Sequence, residues 1–192
     1  MYNETYDFVI VGAGSAGAAL ASRLSENPTN KVLLLEAGPS PNIWSSIPVG
    51  YAKLINNPKY NWCYSSQGEL STNNRSLPVP RGKTLGGSSS INGLVFVRGQ
   101  SHDYNTWAQL GNTGWSYEDV LPVFKRMESY DGGDEKYRGR SGPLRVTDPD
   151  ESGLLYEKIM SAAQQVGIPR HSDYNGENQE GIAMSQATIA KG

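Results

Sequence analysis

The 192-residue chain is short of the residues that several kinds of site require. Its single cysteine, Cys63, excludes an internal disulfide, a CxxC redox pair and a Cys-rich zinc site. It has no excess of charge of either sign: 17 Lys and Arg face 19 Asp and Glu, a net charge of −2. No basic block stands out, so nucleic acid and acidic membrane surfaces are not expected partners. Long hydrophobic runs are also missing. Phe8-Val9-Ile10-Val11 is too short for a secretory signal, and no stretch reaches the length of a membrane span. A cytoplasmic location is the default, with peripheral membrane association left open. The length suits one domain, or one domain and part of another.

What is abundant is glycine, 22 residues in all, and its placement carries the argument. Tyr6 to Val11 reads as a buried parallel strand. Ser15 to about Asn27 reads as a helix with Ala16, Ala19, Leu20 and Leu24 at helical spacing, and Lys31 to Glu36 as a second buried strand. Between strand and helix lies Gly12-Ala13-Gly14-Ser15-Ala16-Gly17. Gly12 permits the tight turn, Gly14 lets backbone approach a pyrophosphate, and Gly17 lets helix and strand pack closely. The helix start then offers unpaired N–H groups and the positive end of the helix dipole to phosphate. Glu36 lies 36 − 17 = 19 residues beyond Gly17, where a carboxylate can accept from ribose hydroxyls. A 2′-phosphate would meet like charge there, which disfavours NADP. NAD and FAD both remain possible.

From Gly38 to Pro80 the chain is rich in proline and aromatics, which predicts ordered extended structure rather than a disordered linker. The stretch from Arg81 to Gly93, Arg-Gly-Lys-Thr-Leu-Gly-Gly-Ser-Ser-Ser-Ile-Asn-Gly, follows. Paired glycines and three serines offer backbone and hydroxyl donors with little bulk, suited to phosphate, ribityl or ring oxygens. An NAD enzyme has no evident need of it. Ser116 then N-caps a helix, with Asp119 completing a capping box and Val120, Leu121, Phe124 and Met127 as its apolar face; Pro122 is a possible kink. Ser129 to Ser141 reads as a loop, and Leu144 and Val146 alternate as in a short strand. A last helix is expected from about Leu154 to Val166, with Leu155, Ile159, Ala162 and Val166 on one face and Gly167 and Pro169 ending it.

With these residues in view the chain resembles the N-terminal part of a glucose–methanol–choline (GMC) oxidoreductase of the choline-dehydrogenase-like kind. The resemblance rests on Val9 to Gly17, Glu36-Ala37-Gly38, Asn61-Trp62, Arg81 to Gly93 with Phe96-Val97-Arg98-Gly99, Asp103-Tyr104 with Trp107, Gly114-Trp115-Ser116, and Asp173-Tyr174-Asn175-Gly176 with Gln179-Glu180-Gly181. It implies an α/β fold: an incomplete Rossmann-like FAD-binding domain over residues 1–129, and the start of an α+β substrate domain over 130–192. It implies FAD, with Gly12, Gly14, Ser15, Ala16 and Gly17 on the pyrophosphate and Glu36, followed by Ala37, at the adenosine ribose. Leu85, Gly86, Ser88, Asn92, Gly93, Leu94 and Val95 would lie near the flavin. Some members hold the flavin through a His just before the Asn; here Ile91 stands there and has no nucleophilic atom, so non-covalent FAD is expected.

The implied reaction is oxidation of a small-molecule alcohol, choline or another, by hydride transfer to the flavin. Electrons would pass on to a quinone, a dye or oxygen. The family's catalytic His belongs to a C-terminal part this sequence does not contain. His102 and His171 do not match that position and read as surface or structural residues, so no catalytic residue is named. A chain of this extent is expected to leave sheet edges and apolar surface uncovered and to fold or bind FAD poorly alone. The competing readings are another FAD or NAD Rossmann oxidoreductase and a non-catalytic FAD-binding fragment.

Overall fold

In the computed structural model, which describes residues 4–149 and 153–190, the chain divides into two units, Met1–Gly93 and Leu94–Gly192. The division at 129/130 expected above concerns which residues serve cofactor and substrate, which is a different question from where the chain packs.

The first unit is built on a strand, helix, strand sequence. Strand β1 (Phe8–Val11) pairs in parallel with β2 (Val32–Leu35), Phe8 opposite Val32 and Val11 opposite Leu35. Helix α1 (Ser15–Leu24) connects them and stops three residues short of the expected Asn27. The order is as read from the sequence, but the burial is not. Ile10 is buried, whereas Val9 is 56% and Val11 83% exposed, and α1 has no fully buried residue. A hydrophobic run records the environment a strand requires, and a two-stranded sheet covers only part of it.

The segment after β2 is ordered, as its aromatics suggested, but by turns rather than extended chain. Two 3₁₀ turns (Ile43–Ser46 and Pro48–Gly50) lead into the single-turn helix α2 (Tyr51–Leu54), whose Leu54 is a core residue. Strands β3 (Tyr64–Ser65) and β4 (Pro78–Val79) then pair antiparallel. Buried Asn61 knits this region together. Its Oδ1 accepts from Cys63 N at 3.0 Å and Arg81 N at 2.8 Å.

The second unit contains helix α3 (Ser101–Gln109), which hydrophobic periodicity does not reveal, and α4 (Tyr117–Met127). Tyr104 of α3 makes edge contacts with Trp107 and Phe124, so aromatic packing rather than an aliphatic stripe joins the two helices. The α4 cap is the one expected. Ser116 Oγ accepts from Asp119 N at 3.3 Å, and Asp119 Oδ2 accepts from Ser116 N at 3.0 Å. The helix runs through Pro122 to Met127. Strand β5 (Glu128–Ser129) pairs in parallel with β6 (Leu144–Arg145). Helix α5 (Leu154–Gln165) buries Met160, whereas Leu155 (76% exposed), Ile159 and Val166 of its expected core face remain uncovered.

The core of this unit is partly ionic. Arg138, with a fully buried side chain, donates from Nε to Glu128 at 2.8 Å and from Nη1 to Asp173 at 2.5 Å. Arg98 Nη2 lies 2.7 Å from the same Glu128. Two cations and two anions thus balance inside the unit, and the Arg138 guanidinium stacks 3.9 Å from the centre of the Tyr130 ring. Arg138 lies in the stretch that the sequence marks only as a polar, glycine-containing loop.

Candidate cofactor site

The glycine loop at the end of β1 has the backbone its sequence requires. Gly12 sits at φ +96°, where a side chain would be strained. A Cβ on Gly17 would lie 1.8 Å from the Gly12 carbonyl oxygen. Only glycine lets α1 start this close to the strand.

The structure brings the second glycine stretch against the first, although Gly14 and Gly87 are 87 − 14 = 73 residues apart. Gly86 N donates to Ala13 O at 2.8 Å. Gly87, at φ +57°, packs so close that a Cβ on it would lie 2.7 Å from Gly14 Cα. Thr84, buried, donates from its hydroxyl to Pro39 O at 2.6 Å and fixes the other side of the junction. Two constellations read separately from the sequence therefore form the walls of one cleft of about 810 Å3.

Glu36, at the end of β2, serves this architecture directly. Its Oε2 accepts from Ala13 N at 2.8 Å and its Oε1 from Gly38 N at 2.9 Å. The carboxylate thus ties the second strand to the glycine loop. Each oxygen retains a further lone pair, and the residue lines the cleft beside Ala37. The serines are also more committed than their sequence suggests. Ser89 Oγ donates to Gly86 O at 2.7 Å and Ser90 Oγ to Leu85 O at 2.8 Å, so both brace their own loop. Ser88 Oγ accepts from Gly82 N at 3.0 Å, keeps its own proton as a donor, and faces the cleft.

Gly12, Gly14, Ser15, Ala16, Gly17, Glu36, Ala37 and Ser88 line this cleft together. Gly86 holds the two loops together and Leu85 is 40% exposed beside it. Asn92 and Gly93 end the first unit, while Leu94 and Val95 open the second, where their environment is set by other contacts. Ile91 is buried, 2% exposed, and is an alkyl side chain, so it offers no point of covalent attachment. Trp62, Tyr64 and Arg81 also line the cleft, outside the site residues picked from the sequence. Trp62 and Tyr64 have parallel rings 6.0 Å apart, Lys83 Nζ lies 4.7 Å from the Trp62 ring, and Arg81 adds a further cation. The two-residue aromatic spacing is visible in the sequence, but the parallel rings are set by a turn, with Cys63 between them at φ +53°, which strand alternation would not foretell.

The donor set fits a dinucleotide. Open backbone N–H groups and a helix N-terminus meet phosphate, Arg81 adds positive charge, a carboxylate with spare lone pairs meets hydroxyls, and flat aromatics meet a ring. Among the described residues no cluster of His, Cys, Asp or Glu could hold a metal ion. His102 and His171 lie outside this cleft. Both line a polar cleft of the second unit, and the His171 ring nitrogen is 2.5 Å from Glu180 O.

Comparison with known proteins agrees with this geometry. The GMC oxidoreductase N-terminal model matches residues 6–191. The chain belongs to the GMC oxidoreductase family. An oxygen-dependent choline dehydrogenase of Rhizobium etli is 48% identical over 187 residues, which cover 97% of this chain and 34% of that protein. Pyridoxine 4-oxidase from Mesorbium loti superposes with a TM-score of 0.90 at 33% identity, covering 97% of this chain and 37% of that one. An FAD-dependent oxidoreductase from Chaetomium thermophilum gives 0.85 at 31% identity, with 97% and 34% covered. The chain thus spans about a third of the length of these relatives. The GMC N-terminal domain is a Rossmann-like, FAD-binding domain, so the family identity and the cleft select FAD over NAD. No helix among the described residues is long and apolar enough to cross a membrane.

Proposed function

We propose that this chain is the cofactor-holding part of an FAD-dependent enzyme that oxidises a small-molecule alcohol, choline or a similar primary alcohol. One observation carries the reading: the Gly86–Ala13 hydrogen bond and the Gly87–Gly14 contact, which bring two distant glycine stretches into one cleft. When bound, FAD supplies a hydride acceptor that protein side chains lack.

The residues of the chain divide the work of holding it. Gly14, Ser15, Ala16 and Gly17 present N–H groups to the pyrophosphate, with Arg81 adding positive charge, while Gly12, whose own N–H donates to Leu35 O at 2.8 Å, shapes the turn beneath it. Glu36, beside Ala37, fixes the loop and turns its remaining lone pairs to the ribose. Leu85, Gly86, Ser88, Asn92, Gly93, Leu94 and Val95 belong to the flavin side. Residues 1–129 serve the cofactor and residues 130–192 begin the substrate side. Trp62 and Tyr64 form a flat apolar wall that excludes water from the cofactor. No residue of the cofactor cleft is assigned the task of taking the alcohol's proton, and His102 and His171 lie outside that cleft.

The reading includes transfer of electrons to oxygen, a quinone or a dye, and a cytoplasmic setting in which the exposed thiol Cys63 stays reduced. Denaturing the full-length protein in acid tests the cofactor. Free yellow flavin in the supernatant is expected, and flavin retained in the pellet would contradict non-covalent binding. A screen of alcohols with and without oxygen then separates oxidase from dehydrogenase.

A further inference from the structure

Inside the second unit, Arg98 is a buried cation whose hydrogen bonds are not all made. Its side chain is 4% exposed. Nη1 donates to Tyr137 O at 2.7 Å. Nη2 lies 2.7 Å from Glu128 as an ion pair without the alignment of a hydrogen bond, and Nε has no hydrogen-bond partner among the described residues. Burial raises the Tyr117 phenol pKa and the Arg98 charge opposes that rise, so this hydroxyl stands near the guanidinium; it still leaves Nε unserved. A buried donor in that condition costs stability, and native interiors rarely leave one without an acceptor.

Space for an acceptor lies beside it. A cavity of about 190 Å3 is bordered by Arg98, Phe124 and Glu128. The guanidinium is held against the last two, 5.3 Å from the centre of the Phe124 ring and in the ion pair with Glu128, so the charged head stands at the cavity wall. Tyr104, Met127 and Leu144 continue that wall with aromatic and apolar surface. A side chain at Gly99, which also borders the cavity, would press on the wall, because its Cβ would lie 2.8 Å from Tyr104 Oη.

These features select the guest. Arg98 and Arg138 are already balanced by Glu128 and Asp173, so a charged guest would bring an uncompensated charge into the interior. A water takes up roughly 30 Å3 and needs two or more polar partners, so water alone would serve Nε and leave most of the space against apolar wall. An apolar cavity of about 150 Å3 is enough for a six-membered ring. We propose that this cavity binds a small neutral molecule with one acceptor oxygen on a compact apolar body, such as an aliphatic ketone. The oxygen accepts from Arg98 Nε, and the body packs against Phe124, Met127 and Leu144. The site lies wholly within the second unit and does not depend on the cofactor reading.

The test uses the full-length protein, isotope-labelled at its methionine methyl groups and titrated with cyclohexanone, which has no hydroxyl to oxidise. The Met127 resonance, assigned by its loss in Met127→Leu, should shift and saturate in the millimolar range. Methylenecyclohexane has the same shape without the oxygen. It should bind about ten-fold more weakly, the worth of a hydrogen bond to a charged group. Leu144→Trp, which fills the cavity from β6, should abolish the Met127 shift while a cooperative thermal transition shows it folded. The comparison of the two ligands needs no variant and decides the matter if Leu144→Trp does not fold. A Met127 resonance that stays in place, equal affinity for the two ligands, or a shift that survives in folded Leu144→Trp would overturn the site.

Discussion

The two units solve the problem of a precise interior by opposite means. In the first, precision comes from what is missing: side chains absent at Gly17 and Gly87 let backbone meet backbone, and Glu36 ties the result together. In the second it comes from large polar groups taken out of water, with Arg98, Arg138, Glu128 and Asp173 balanced against one another. The first kind of site tolerates no added atom. The second tolerates no lost partner. That contrast predicts which changes harm which unit, and by how much.

The largest effect is expected from Gly17→Ala. Its Cβ would lie 1.8 Å from a backbone oxygen that cannot move without displacing β1 from α1. A cost of roughly 3 kcal/mol or more follows, which is above a hundred-fold in affinity. FAD content of the purified full-length protein, read from its visible absorbance, should fall to background. A variant that retains half its flavin would show that the loop can widen, and that absence of side chains is not what shapes it.

Next comes Arg138→Met, which leaves Glu128 and Asp173 facing each other in the interior without their shared cation. Removing one member of such a buried set costs about 3–5 kcal/mol. Adding Asp173→Asn to Arg138→Met restores the balance of one cation, Arg98, against one anion, Glu128, and should recover part of the loss. Urea unfolding of the single and double variants checks both statements. A double variant less stable than Arg138→Met alone would show that Asp173 acts through hydrogen bonds rather than charge.

These two cases explain what the sequence discloses. A backbone-built site needs glycine at fixed spacing within a few residues, so the Gly12 loop and the Arg81–Gly93 stretch are legible, as is Glu36 at its distance from Gly17. Their meeting is not, because nothing at Gly87 names Gly14 as its partner. The ionic core is hidden for the same reason. Arg98, Glu128, Arg138 and Asp173 are ordinary surface residue types, separated by 10 to 75 positions, and only the folded chain shows the first three buried with Asp173 partly exposed beside them. Hydrophobic spacing found α1, α4 and α5 but missed α3, whose packing is aromatic. It also overstated burial: Val11 and Leu155 belong to apolar patterns and are exposed.

A smaller effect separates charge from geometry within the first unit. Glu36→Gln keeps the shape of the side chain but gives it only one acceptor oxygen for two backbone N–H groups, those of Ala13 and Gly38. One N–H then faces an amide NH2. The expected loss is about 1–3 kcal/mol, shared between the loop and its ligand. Titration with FAD should show a dissociation constant raised by roughly ten-fold or more. Unchanged affinity would mean that Glu36 acts on neither.

The smallest effect tests whether a legible feature is also an influential one. Ser116 and Asp119 form a capping box that can be read from two letters of sequence, and the structure shows both halves of it. Ser116→Ala leaves the Asp119 N–H without its side-chain acceptor at the start of α4, worth about 1 kcal/mol. That is a third or less of the expected cost of Arg138→Met in the same unit. The thermal midpoint should fall by a few degrees while flavin content stays at the wild-type level, because the cap touches no residue of the cofactor cleft. If Ser116→Ala instead matched Arg138→Met, local capping would dominate the second unit. Its buried ion set would then be a consequence of the helix arrangement rather than one of its causes.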